Sequence, residues 1–340
     1  MHHRFAASAF IEASANGLVL DVRSPGEFAQ GHIPGSVSFP LFSDEERKTV
    51  GTLYKQVGQQ DAILEGLKIV GPKLAGFVQE ALLLAPAKKI YLYCWRGGMR
   101  SGSMAWLLEM AGFEVITLQG GYKAFRNLVL GEVPRLPKIL VIAGFTGTGK
   151  TAVLKELMAK GESVVDLEFI ACHRGSAFGR MDGEVQPTQE QFENNLHLEL
   201  KRHENQQRVW VEDESLRIGD LHLPPALFKQ IRQANAIFLD MKKEQRIEEL
   251  VKLYGAKPAD QLIAGFKRIA KRLGGLRLKN AVNAIQNGAL PLAASIALEY
   301  YDGLYLADYQ SRLPESSSTI EVSGLTPAQI CDQLLARVAV

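Results

Sequence analysis

Short apolar runs alternate with amphipathic stretches along this chain, and turn residues separate them. Leu18 to Val22 is apolar except for Asp21 and runs into Ser24-Pro25-Gly26, the pattern of a buried strand ended by a turn. Ile90 to Cys94 repeats it, followed by a glycine-rich turn and a helical stretch from about Arg100 to Ala111. Val115 to Leu118 makes a third strand, closed by Gly120-Gly121. Strands that alternate with helices predict an α/β unit with a largely parallel sheet. The segment from Gly131 to Pro137 carries two prolines in four residues and no apolar period, which marks a linker at 133–137. A second α/β pattern starts at once, with a strand at 138–143, a glycine-rich turn, a helix from about Lys150 to Lys160, and strands at 163–167, 208–212 and 236–240. From Lys242 to about Leu306 the period is mostly helical and rich in Lys and Arg. Ser316-Ser317-Ser318 reads as a loop before a final helix near 326–338. The expected organisation is a first α/β domain at 1–132 and a second at 138–340 that includes a basic helical segment at 242–306.

Composition narrows this picture. At roughly 100–200 residues per domain, the 340 residues suit two domains. The 46% apolar and 22% charged content excludes collagen-like, mucin-like and disordered chains. Net charge is only +2, so charge must be read locally. Cys94, Cys172 and Cys331 are far apart and odd in number, which argues against a disulfide framework or a zinc site. No apolar signal follows the first residues, and the longest apolar runs, such as Ile139 to Ala143, are far short of a membrane span. The expectation is a reduced cytoplasmic protein with no membrane partner.

Three segments carry candidate chemistry. The first is Cys94-Trp95-Arg96-Gly97-Gly98-Met99-Arg100-Ser101, between a strand end and a helix start. There a cysteine meets inward-pointing amides and the positive helix end, which favour thiolate. Gly97 and Gly98 let the amides converge on an anion, and Arg96 and Arg100 add fixed positive charge. Such a site suits a nucleophilic sulfur acting on an anionic chalcogen donor.

The second is Gly144-Phe145-Thr146-Gly147-Thr148-Gly149-Lys150-Thr151, which fits G-x-x-x-x-G-K-[ST] after a strand and before a helix. Its amides and helix N-terminus cradle phosphate, Lys150 brings a mobile charge, and the Thr151 hydroxyl is placed for Mg²⁺. Val209 to Glu214 ends a strand in three acids, of which Glu212 or Asp213 would hold Mg²⁺ through water. The motif reads phosphates and does not specify a nucleotide.

The third comprises Asp166 and then His173-Arg174-Gly175-Ser176-Ala177-Phe178-Gly179-Arg180. It suits a phosphate or substrate site near a strand's carboxyl end, or a structural histidine with its neighbours. Cys172 beside His173 reads as structural. In addition, eleven Lys/Arg face four Asp/Glu between Lys242 and Lys279. At helical spacing Lys267, Arg268, Lys271 and Arg272 share one face opposite Phe266, Ile269 and Leu273, and Arg277 and Lys279 follow; such a strip can track a phosphate backbone.

The segment Leu20-Asp21-Val22-Arg23-Ser24-Pro25-Gly26-Glu27-Phe28, then Gly31-His32-Ile33-Pro34-Gly35-Ser36, resembles the entry signature of rhodanese-type sulfurtransferase domains. That resemblance implies that Cys94 is the loop cysteine and that Asp21, Arg23, Glu27 and His32 brace fold and loop. Common loops of that family enclose four residues between Cys and the closing Arg, whereas Cys94 and Arg100 enclose five. The wider loop suits an oxyanion larger than thiosulfate sulfane. A rhodanese-like domain joined to a P-loop NTPase-like domain with a basic helical segment is similar to the tRNA 2-selenouridine synthases. The resemblance rests on the cysteine loop, the P-loop and His173 to Gly179. It implies a transferase acting on tRNA with 2-thiouridine at the wobble position, using geranyl diphosphate and then selenophosphate, with Mg²⁺ as cofactor. The competing enzymatic reading is an ATP-dependent tRNA sulfurtransferase. The non-enzymatic one is a scaffold for a sulfur or selenium relay, against which the intact Lys150 and Thr151 speak.

Overall fold

The computed structural model describes residues 3–131, 136, 138–176, 178, 185–310 and 317–338, with only the backbone at 304–310. It divides into two compact units, Met1–Val133 and Pro134–Val340 but for 193–195. The segment read as a linker, except Leu136, and Ala177, Gly179 and Arg180 lie outside the described residues.

The first unit is built on strands β1 (His3–Phe5), β2 (Val19–Asp21), β3 (Val37–Ser38), β4 (Lys89–Tyr93) and β5 (Glu114–Leu118). They pair in the order β1-β5-β4-β2-β3, every pair parallel. A parallel sheet needs crossover helices on its faces, and its core shows them: Leu20, Ile90, Leu92 and Val115 of the sheet pack with Phe77, Ala81, Met104 and Leu108 from the helices Leu74–Leu84 and Met99–Met110. The two edge strands are absent from the apolar pattern. Residues 3–5 are largely exposed and 37–38 make only two register pairs, so neither shows a buried run.

The second unit contains β6 (Lys138–Gly144), β7 (Val164–Val165), β8 (Arg208–Glu212), the antiparallel hairpin β9 (Arg217–Ile218) and β10 (Leu221–His222), then β11 (Asn235–Asp240) and β12 (Ser317–Glu321). Its main sheet runs β12-β11-β6-β8-β7, all parallel, with the phosphate-loop strand in the middle. The expected strand at 163–167 shrinks to Val164–Val165, because the Asp166 carboxylate accepts the Phe169 amide at 2.9 Å and starts the short helix Leu167–Ile170. Ser317 and Ser318, expected in a loop, belong to edge strand β12. Only Ile320 of that strand is buried, so it is polar enough to read as a loop.

The basic region is four helices: Lys243–Tyr254, Ala259–Leu273, Gly275–Gln286 and Leu290–Gln310. The strip at 267–279 is not one helix, because Gly274 adopts φ +89° between two of them. Their shared core contains Leu262, Phe266, Ile269, Ala281, Ile285 and Ala297.

Candidate functional site: a thiol loop and a phosphate loop

The residues after β4 curl into a tight loop in the first unit. Cys94 is 3% exposed, and its Sγ lies 3.2 Å from Ser101 Oγ, which in turn donates to the Gly98 carbonyl at 3.1 Å. The loop leans on the Gly120–Gly121 turn, where the Tyr122 amide donates to Cys94 O at 2.8 Å and the Lys123 amide to Trp95 O at 3.0 Å. Gly121, with φ +64°, is needed there: a Cβ would sit 2.3 Å from Cys94 O and 2.5 Å from Gly97 N. Gly97 is also left-handed, at φ +64°, while Gly98 opens the helix Met99–Met110.

The two arginines differ. Arg96 is exposed, and no ion pair is formed by it among the described residues. Arg100, expected to offer its charge to an anion, instead spends it on Glu27, with Nη1 2.7 Å from Oε2 and Nη2 3.4 Å from Oε1. Burial acts to raise the Glu27 carboxyl, but the bond from Arg100 and the Ser24 amide outweigh it and hold it below its ordinary value. The bracing residues lie as the resemblance implies. Arg23 forks onto Asp21 at 2.6–3.0 Å, donates to Gly31 O and lies 3.8 Å from the Tyr122 ring centroid. His32 stacks on Phe28 at 3.8 Å.

In the second unit β6 delivers Gly144 into the phosphate loop, and Gly147 and Gly149 have φ +87° and +77°. Thr148 closes the loop internally by donating from its hydroxyl to Phe145 O at 2.9 Å. Lys150, 8% exposed, donates to Gly144 O at 2.9 Å and lies 3.5 Å from the Glu212 carboxylate. The Thr151 hydroxyl is 3.3 Å from Glu168 and 3.4 Å from Glu212. Register explains the arrival of Glu212: β8 pairs with β6 so that Glu212 faces Ile142, two residues before Gly144.

Of the acids at 212–214, Glu212 points into the phosphate loop. Asp213 turns toward Arg232, 3.8 Å away, and does not join the cluster. Asp166 caps its helix and acts on the site only through its field. Two residues not singled out in the sequence complete the cluster: Glu168, from the short helix after β7, and Glu214, just beyond β8. One carboxylate oxygen from each of Glu168, Glu212 and Glu214 lies within 4.8 Å of the others. Burial first, then the neighbouring Glu212 charge, pushes Glu168 up to about 8. Glu212 and Glu214 are raised too, mainly by burial. Three buried carboxyls sharing protons beside a Thr hydroxyl form an oxygen-rich set that a hard divalent cation would satisfy. The residues therefore fit Mg²⁺.

Arg246, one of the eleven basic residues between Lys242 and Lys279, also belongs to this site. It is 4% exposed, forks onto Asp302 at 2.8 Å and reaches Thr146 O at 3.3 Å beneath the loop. His173 is buried. It lines an open hollow with Gly175, Ser176, Arg217 and Arg268, so one residue of the basic strip meets the third cluster. Arg174 lies close enough to Tyr254 to act on its hydroxyl. Lys267, Lys271, Arg272, Arg277 and Lys279 are exposed and away from that hollow's lining.

Fold and loops together define a two-unit protein with a rhodanese-like domain and a P-loop domain. Residues 6–128 match the rhodanese-like domain family, and residues 137–324 match the tRNA 2-selenouridine synthase AAA domain. Proteins with the name tRNA 2-selenouridine synthase are similar over most of the chain. That of Shewanella denitrificans is 36% identical, covering 89% of this chain and 90% of its own; that of Sulfurovum sp. is 36% identical, covering 87% and 89%. The Cupriavidus pinatubonensis protein is 40% identical over 75% of this chain and 72% of its own. The chain belongs to the tRNA 2-selenouridine synthase family. It is a tRNA-modifying enzyme, and among the described residues no helix is long and apolar enough to cross a membrane.

Proposed function

We propose that the enzyme converts 2-thiouridine at the tRNA wobble position to 2-selenouridine in two steps, each served by one anion-binding loop. The thiouridine sulfur attacks C1 of geranyl diphosphate, the C–O bond breaks, and inorganic diphosphate and the N3 proton leave, giving S-geranyl-2-thiouridine. Selenium of selenophosphate then attacks C2, the C–S bond breaks, geranyl thiol leaves with a proton, and water releases phosphate. The observation that carries this reading is the intact P-loop, with Lys150 and Thr151 set over buried carboxyls, in one chain with a cysteine held in an amide-rich loop.

In the first step charge builds on the departing diphosphate. Lys150 and the amides of Gly147, Thr148 and Gly149 stabilise it as it develops. Thr151 and Glu212, with Glu168 and Glu214 beside them, would hold Mg²⁺, which supplies Lewis-acid stabilisation of the leaving group. In the second step Cys94 positions the selenium of selenophosphate without bonding to it, and Gly97, Gly98 and Arg96 hold its phosphate. Arg100 acts through Glu27 by keeping the helix start in place. Arg268, with Lys267, Lys271, Arg272, Arg277 and Lys279, draws the tRNA backbone. None of the three cysteines forms a disulfide, which suits a reduced compartment.

The test incubates the enzyme with 2-thiouridine tRNA, Mg²⁺ and geranyl diphosphate without ATP, then adds selenophosphate and reads nucleosides by mass spectrometry. The expected result is geranylated thiouridine that converts to selenouridine. Product formed only with ATP, releasing AMP or ADP, would instead establish the ATP-dependent sulfurtransferase. Full selenation by Cys94→Ala would remove the cysteine from the second step.

A further inference from the structure

Beside the phosphate loop lies a pocket of a different character. Thr146, at the loop's tip, and Ser176 border it, and the rest of its wall is apolar helix surface. Leu250 and Tyr254 come from one helix, Leu262 and Phe266 from the next, and Ala294 and Ala297 from Leu290–Gln310. No lining residue is charged, and the polar atoms of its side chains are those of Thr146, Ser176 and the two tyrosines. A purine base there would leave ring nitrogens and an amino group without enough partners, which is costly in an apolar site. A hydrocarbon chain needs none. A ligand whose head occupies the P-loop and whose tail leaves past Thr146 would join a phosphate head to an apolar tail.

We propose that this pocket receives the isoprenoid chain of the allylic diphosphate, and that the alanine face of Leu290–Gln310 sets the chain length accepted. This rests on the prenyl-transfer reading above. Ala293, Ala294 and Ala297 all line the pocket from one side of that helix, where larger side chains would take up its space. Phe178 packs edge-on against Phe266 with centroids 4.9 Å apart, over the bare backbone of Gly265, where a Cβ would meet its ring at 2.3 Å. That leaves one part of the lining aromatic and fixed, and another part small. Ala294 is only half-buried, so added carbons there enter the pocket without displacing the packed core.

The experiment measures binding of geranyl diphosphate, dimethylallyl diphosphate and inorganic diphosphate to the full chain with Mg²⁺, for the wild type, Ala294→Leu and Ala294→Phe. The wild type is expected to bind geranyl diphosphate at least about tenfold more tightly than inorganic diphosphate, from apolar burial. Ala294→Phe should lose most of that margin and shift its preference to the shorter chain, with Ala294→Leu between. Unchanged affinity for inorganic diphosphate reports an intact P-loop and hence a folded domain. If both variants keep the wild-type margin and preference, the pocket assignment is wrong, even where the wild type still geranylates tRNA. If the wild type neither geranylates tRNA nor separates the prenyl diphosphates from inorganic diphosphate, the prenyl-transfer reading itself fails and takes the pocket with it.

Discussion

Replacing Gly121 by alanine isolates the thiol loop from the rest of the enzyme. Gly121 holds φ +64°, a left-handed conformation that costs a non-glycine residue about 1–3 kcal/mol. Its new Cβ would stand 2.3 Å from Cys94 O, 2.5 Å from Gly97 N and 2.7 Å from Arg96 N, all backbone atoms that cannot swing away. Ordinary contact begins at 3.4 Å, so the segment that carries Cys94 must retreat by about 1 Å, a displacement that can cost about 10²-fold in rate. The two half-reactions are read separately. Pre-geranylated tRNA with selenophosphate should give selenouridine about 10²-fold more slowly, while geranylation of thiolated tRNA stays within about twofold of wild type. Gly102→Ala, on the helix that follows the loop, is the control, since nothing lies within 4 Å of its Cβ position; selenation should stay within about threefold. A folded Gly121→Ala enzyme that selenates at the wild-type rate would refute the assignment of the second step to this loop.

Other expectations follow from the second unit and its charges. A carboxyl raised in the fold keeps its proton at pH values where the unfolded chain has already lost it, so stability falls as pH rises from 4.5 to about 8 through Glu168. Thermal melts of the metal-free protein should show that slope, and Glu168→Gln should flatten it; an unchanged slope would remove Glu168 as its source. Changing Lys267, Arg268, Lys271 and Arg272 together to alanine should lower tRNA affinity and reduce the salt slope by roughly three to four, with little change in melting temperature because all four are exposed. An unaltered salt slope in filter binding would place the tRNA elsewhere. Arg246→Met should destabilise by about 1–3 kcal/mol, since it strands the partly exposed Asp302, and denaturant titration checks it.

The parts of the site legible in the sequence are those whose backbone is demanding. The phosphate loop needs left-handed turns and a strand before them, so its glycines announce it. The cysteine loop is legible for the same reason. Side chains that arrive from elsewhere left no such trace. Glu168 sits on a single helical turn without periodicity, and its approach to Thr151 depends on β7 lying at the sheet edge beside β8. Three consecutive acids left the choice open until strand alternation sent Glu212 inward and Asp213 toward Arg232. Arg246 has no mark of its own among the basic residues, because only the fold sets its helix under Gly147, whose missing Cβ would meet Arg246 O at 3.0 Å. The paired glycines 274 and 275 also carry a signal, a helix break at Gly274 between the two groups of basic residues.

Lys150 holds the Gly144 carbonyl and leans on Glu212. A newcomer to the loop must outbid both partners for the same ammonium, so binding is an exchange. A single weak negative charge gains little from that trade, whereas a diphosphate brings enough charge to win it and frees Glu212 to turn to a cation. The loop thus ranks anions by charge before any part of their organic portion is felt. Monophosphates and free carboxylates, abundant around any tRNA enzyme, should pass it by.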